Sequence, residues 1–161
     1  MNSKEYNISV DKYADGVYRF VLKNIKNEEK AQDIIQDTFE KLWIKAENVN
    51  FLKVKSYIFT TAYHTMIDHI RKDKKQTVLD RNAELKHAHE RQYSDLNEIL
   101  QEAIDMLPKI QKSLILLRDY EGYSYKEIAE TTNLNESQVK VYIFRARKFL
   151  KNYLGTIESV I

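Results

Sequence analysis

The residue types in this chain that could do chemistry are cations placed to meet a polyanion, and they gather in one stretch. "ESQVKVYIFRARKFL", Glu136 to Leu150, carries Lys140, Arg145, Arg147 and Lys148 between apolar residues, with no acid after Glu136. Cations at helical spacing reach phosphate or guanine, and apolar groups set among them suit a thymine methyl. Other chemistries lack their parts. Cys is absent, the histidines are His64, His69, His87 and His89, and neither a glycine-rich phosphate loop nor a metal-ligand spacing occurs. No catalytic residue, metal or cofactor is expected. His87 and His89 stand in a polar segment and read as solvated.

The elements around the basic stretch are marked by their caps. "SYKE", Ser124 to Glu127, is a capping box, and "NESQ", Asn135 to Gln138, is the same device built from Asn and Gln. Two helix starts so close allow only a short first helix, roughly Tyr125 to Thr132, then a tight turn and a longer basic helix. That is the plan of a helix-turn-helix. Ala129 is small where the helices cross, Asn133 tolerates the left-handed conformation of the turn, and Val139 can pack back between them. In the second helix Val139, Tyr142, Ile143, Ala146, Phe149, Leu150, Tyr153 and Leu154 form the expected buried stripe. The opposite face then displays Ser137, Lys140, Val141, Phe144, Arg145 and Lys148. An ordinary amphipathic helix with a solvated basic face is the plainer alternative.

The rest of the chain reads as helical too. It has 161 residues but only 3 Gly and 1 Pro, little material for hairpins, and its size suits one modest domain or two small helical ones. Apolar residues from Val10 to Ile25 recur at helical intervals. Asn27 is a plausible cap for a second helix with Ala31, Ile34, Ile35, Thr38 and Leu42 on one side, and a third helix runs from about Val54 to Lys72. Residues 73–95 are polar and weakly periodic, as a linker would be. Leu96 to Leu107 form an amphipathic helix stopped by Pro108, which suits the first turn of the next helix, and Gly122 ends that one. No apolar leader and no run of eighteen apolar residues is present, so no membrane insertion is expected and a cytoplasmic location is.

"LPKIQKSLILLRDYEGYSYKEIAETTNLNESQVKVYIFRARKFL" resembles region 4 of the sigma-70 family of RNA polymerase sigma factors, of the extracytoplasmic-function (ECF) type. "AQDIIQDTFEKLW" and "SYIFTTAYHTMIDHIRKDKK" are similar to two helices of region 2 in that family. The resemblance implies an all-α chain of two small helical domains: region 2 at 5–75, a polar linker at 76–95, and a region 4 helix-turn-helix at 96–155. It implies core RNA polymerase and promoter DNA as partners, and an anti-sigma factor as a third. Region 2 would dock on polymerase through Asp33, Gln36, Asp37 and Glu40. Phe39 and Trp43 read as core rather than contact. The loop "ENVNFLK" matches the family's specificity loop, so Asn48, Asn50, Phe51 and His64 would form the −10 pocket, with Lys53, Lys55, Arg71, Lys72, Lys74 and Lys75 on phosphates. Region 4 would read the −35 element through Ser137, Lys140, Val141, Phe144, Arg145 and Lys148, while Arg147 is better placed for a phosphate or the helix end. The family's common Asn, Arg and Trp are here His64, Tyr63 and Tyr57. His64 and Asp68, one turn apart, could equally be an i,i+4 ion pair.

Two rival readings remain at this point. A helix-turn-helix regulator that works without polymerase explains residues 108–154 but gives no reason for the first half. A protein-interaction module would need no DNA affinity at all.

Overall fold

The structure is a computed structural model that describes the backbone of residues 1–77 and 96–160 and the side chains of residues 1–75 and 96–156. Most of the expected linker, with His87 and His89, lies outside the described residues. Among the described residues all regular structure is helical, in two bundles.

The first bundle comprises α1 (Ser3–Ile25), α2 (Glu28–Ile44) and α3 (Val54–Thr77). Helix α1 starts well before Val10 because Asn2 caps it. The Asn2 side chain accepts from the Glu5 amide at 2.8 Å and the Glu5 carboxylate accepts from the Asn2 amide at 3.0 Å, a reciprocal box that satisfies two otherwise unpaired donors. Lys26 turns the chain at φ 56°, and Asn27 then caps α2 by accepting from the Lys30 amide, as expected. Helix α3 continues to Thr77, so the first residues assigned to the linker are helical; Lys30 fastens this stretch to α2 through Asp73 at 2.8 Å. Val17, Phe20 and Val21 of α1, Ala31, Ile34 and Leu42 of α2, and Ile58, Ala62 and Met66 of α3 make the core. Each large aliphatic or aromatic member withdrawn from water contributes about 1.5–3 kcal/mol, far more than the helix propensities that the polar faces of these helices express.

The second bundle comprises α4 (Leu96–Asp105), α5 (Lys109–Ile115, continued by a π-turn over Leu116–Tyr120), α6 (Tyr125–Thr132) and α7 (Glu136–Val160). Pro108 stands at the cap of α5 rather than in its first turn, because its ψ of 146° is extended. Gly122, at φ 75°, ends the π-turn in a conformation that side chains resist. Ile104, Leu114, Leu117, Ile128, Val139, Ile143 and Ala146 fill the core.

The two bundles pack against each other, α3 on α6 and α1 on α5 and its π-turn. Phe59 and Tyr123 meet across the joint with ring centroids 5.0 Å apart. The Lys112 ammonium donates to the Asn24 carbonyl at 2.7 Å, Ser113 Oγ donates to Asn24 Oδ1 at 2.9 Å, and Thr60 Oγ1 donates to Thr131 Oγ1 at 3.3 Å. No helix among the described residues is long and apolar enough to cross a membrane.

Candidate nucleic-acid interface

The basic helix α7 is aimed by its two neighbours. Ser124 Oγ accepts from the Glu127 amide at 3.1 Å and the Glu127 carboxylate accepts from the Ser124 amide at 3.1 Å, which starts α6 where the sequence predicts. Asn133 adopts the left-handed conformation at φ 61°. Asn135 and Gln138 then exchange hydrogen bonds, Gln138 N–H to Asn135 Oδ1 at 2.7 Å and Asn135 N–H to Gln138 Oε1 at 3.1 Å. Val139 is fully buried between the helices. Short helix, left-handed turn and capped second helix fix the direction of α7 without using any residue on its outer face.

That outer face carries Ser137, Lys140, Val141, Phe144, Arg145 and Lys148, all exposed. Phe144 is 68% exposed, an apolar ring kept in water between Lys140 and Lys148. Lys140 leans loosely on Glu136, at 3.9 Å, and its ammonium also lies 5.6 Å from the centre of the Tyr125 ring. Arg147 is differently placed: its Nε donates to Asp119 Oδ2 at 3.2 Å and Nη2 donates to Oδ1. The Asp119 carboxylate beside it holds the guanidinium above its ordinary pKa. Arg147 therefore braces α7 against the π-turn. Phe149 departs from the expected buried stripe. It is 38% exposed and stacks on Tyr153, with centroids 6.1 Å apart, because the neighbouring Leu150 takes the inward position.

In the first bundle α2 turns a polar face outward, with Asp33, Gln36 and Glu40 exposed and Asp37 half-buried against His69 at 3.1 Å. Phe39 is buried as expected, but Trp43 is not: it is 54% exposed, its ring edge against Tyr6 with centroids 4.9 Å apart, and Ile44 beside it is 72% exposed. The spacing held this signal. Positions 33, 36, 37, 40, 43 and 44 follow the 3- and 4-residue steps of one helix face, so Trp43 and Ile44 extend the polar face rather than the core stripe that ends at Leu42.

The connection between α2 and α3 is ordered as two 3₁₀ turns, Ala46–Asn48 and Phe51–Lys53. Asn48 and Asn50 are exposed, and Phe51 is half-buried against the core. Asn50 uses one lone pair of its side-chain oxygen locally, accepting from the Leu52 amide at 3.0 Å, which holds the side chain against the loop. Leu52, 90% exposed beside it, was not singled out from the sequence. His64 is exposed one helix away, its ring against Tyr63 rather than in an ion pair; His69 has the carboxylate partner instead. Arg71 and Lys72 are exposed farther along α3. Lys55 lies over the Tyr123 ring at 4.7 Å and so belongs, in this arrangement, to the joint between bundles.

The chain thus joins a capped helix-turn-helix with a cationic, part-apolar outer face to a second helical bundle whose α2 turns an acidic face outward. The chain's residues 10–76 match the family model described as Sigma-70 region 2, and residues 97–150 match that for Sigma-70, region 4. It is 36% identical over 137 residues to RNA polymerase sigma factor SigV of Bacillus subtilis, covering 83% of this chain and 81% of that protein. It is 31% identical over 147 residues to ECF RNA polymerase sigma factor SigM of the same organism, covering 86% and 88%. The fold is similar to that of the sigma factor RpoE from Bartonella quintana, solved in complex with the anti-sigma factor NepR, with a TM-score of 0.79, 24% identity and coverage of 94% of this chain and 98% of that one. The chain belongs to the sigma-70 family, among the ECF sigma factors.

Proposed function

We propose that this protein binds core RNA polymerase and directs it to promoters, residues 5–75 acting as region 2 and residues 96–155 as region 4. The observation that carries this reading is the pairing of two outward faces on separate bundles: a cationic helix-turn-helix and an acidic helix ending in an uncovered tryptophan. A regulator that needed DNA alone would have no use for the second face.

The roles follow from charge and shape. Lys140, Val141, Phe144 and Arg145 read base edges of the −35 element in the major groove, with Ser137 and Lys148 toward the backbone. Asp33, Gln36, Asp37 and Glu40 dock on polymerase, and Trp43 and Ile44 supply the apolar part that a stable interface needs at its centre. Asn48, Phe51 and His64 receive a flipped base of the −10 element, Asn50 shapes the loop, and Arg71 and Lys72 hold phosphates. Melting is driven by binding: unstacking a base costs a few kcal/mol and is offset by seating it in the protein. The protein acts in the cytoplasm and by binding, not by catalysis. An anti-sigma factor is its expected inhibitor, as one is bound to the similar sigma factor from Bartonella.

The closed packing of the bundles bears on this function. Elements centred about 25 base pairs apart are separated by about 85 Å of duplex. A compact chain of this length has a diameter of about 40 Å. The joint must open for both elements to be held at once.

Co-elution with core polymerase tests the docking role. The wild-type protein is expected to co-elute, and a variant with Asp33→Lys and Glu40→Lys to remain free while still melting as a folded protein. Failure of the wild type to co-elute with active core enzyme would leave the regulator reading in its place.

A further inference from the structure

Where the bundles meet, α1, α2 and α3 on one side and α5 with the end of α4 on the other line an open groove of about 920 Å³. That is the size of a small-molecule site. Its floor is apolar, with Ile67, Ile70 and Leu107, and its rim is cationic. The acids on that rim are already engaged. Asp105 lies 2.6 Å from the Lys26 ammonium and 2.9 Å from that of Lys112, and Asp73 pairs with Lys30.

Among the described residues two cations of the rim are left over. Lys74 of α3 and Lys109 at the start of α5 face each other across the joint, and among the described residues no carboxylate stands within ion-pair distance of either. Burial, then the charges of Lys74 and Lys112, hold the Lys109 ammonium below its ordinary pKa. Bringing these like charges together opposes closure, and an anion between them would reverse the sign of that contribution.

We propose that this groove binds a small ligand carrying two or more phosphates, gripped between Lys74 of one bundle and Lys109 of the other, and that the ligand fastens the closed form. The grip exists only when the bundles are packed, so by linkage the ligand draws the population toward closure. That this also withholds the protein from promoters rests on its function as a sigma factor; binding and closure do not.

The test uses inorganic tripolyphosphate and a nucleoside triphosphate as probes, with the full chain at low salt. Because the chain has no Cys, dyes placed by Asp11→Cys and Lys151→Cys report the distance between the bundles by energy transfer. We expect one saturable site by calorimetry, with energy transfer rising toward a closed value as it fills. Lys74→Ala with Lys109→Ala is expected to weaken binding about tenfold or more. Lys4→Ala with Lys12→Ala, a control pair of exposed lysines, should bind as the wild type does. Equal binding of the two probes would mean that phosphates alone are recognised; tighter binding of the nucleotide would place its base on the apolar floor. No binding, equal binding by both double variants, or binding without a change in energy transfer would overturn the proposal. Melting of each variant without ligand separates loss of the site from loss of the fold. A sigma factor that initiates transcription normally but fails these measurements would refute the site and leave the functional reading standing.

Discussion

Arg19 of α1 and Glu121 at the end of the π-turn, 102 positions apart in sequence, form a bidentate ion pair across the joint, with Nε and Nη2 each 3.0 Å from a carboxylate oxygen. Glu121 is only 7% exposed at its side chain while Arg19 is half exposed, so the arginine is the member that can leave and the carboxylate the one that needs it. Arg19→Ala should destabilise the closed form by about 1 kcal/mol, a value kept low because solvent screens the exposed guanidinium. The same pair of dyes should then report a longer average distance between bundles, while Lys4→Ala, at an exposed residue near the start of α1, should not. An unchanged distance would show that the other contacts, Phe59 with Tyr123 and the hydrogen bonds of Lys112 and Ser113 to Asn24 among them, hold the joint without this pair.

Tyr123 is buried in that contact and its hydroxyl has no hydrogen-bond partner among the described residues. Tyr123→Phe removes an unsatisfied polar group at constant shape, so at pH 7 it should leave stability unchanged or raise it. Burial, with the charges of Glu127 and Glu121, pushes the Tyr123 phenol far above its ordinary pKa, and burial raises Tyr63 as well. Between the unfolded and folded pKa values the unfolded chain has lost a proton that the folded one keeps. Stability from this source is complete below about pH 10 and falls above it. Thermal melting from pH 8 to 11 should show that fall, and Tyr123→Phe should make it shallower. A fall of the same slope in the variant would assign the alkaline loss to other groups.

Asn133 holds the turn of the helix-turn-helix in the left-handed conformation. Asn133→Gly should fold at least comparably, whereas Asn133→Val should cost about 1–2 kcal/mol, read from chemical denaturation. Equal stability of the two would mean that the turn can relax to another conformation.

How far such features could be read from sequence depended on whether the signal was local. Both boxes around α6 and α7, the left-handed Asn133 and the outward face from Ser137 to Lys148 follow from spacing within a few residues, and the structure places them so. Asn2 and Glu5 carry the same signal, but it is hard to see because the apolar period begins only at Val10. Trp43 reads as core by residue type, though its spacing from Asp33 and Glu40 puts it on their face. The joint could not be read at all. Lys112, Asn24 and Asp105 look like ordinary surface residues until the fold brings them together from distant parts of the chain.

Trp43 is the one tryptophan in the chain. Its emission should shift to the blue when core polymerase is added, because docking would cover a ring that is half in water. Trp43→Ala should weaken that association by about 2 kcal/mol or more if the ring lies at the centre of the interface. Emission unchanged on a complex shown to form by co-elution would place the docking face elsewhere.

Arg145 and Lys148 should separate base reading from phosphate binding. Arg145→Ala should cost about 1–3 kcal/mol on the cognate −35 site and relax one base pair, while Lys148→Ala should weaken all sites alike and reduce the salt dependence of binding. A uniform loss for Arg145→Ala would make it a phosphate contact.

Mapping transcript 5′ ends made by the purified protein, core RNA polymerase and fragmented genomic DNA tests the central claim most directly. Discrete starts that require the protein and share motifs near −10 and −35 are the expected result. Starts no different from those of core enzyme alone, under conditions where another sigma factor supports initiation, would contradict it.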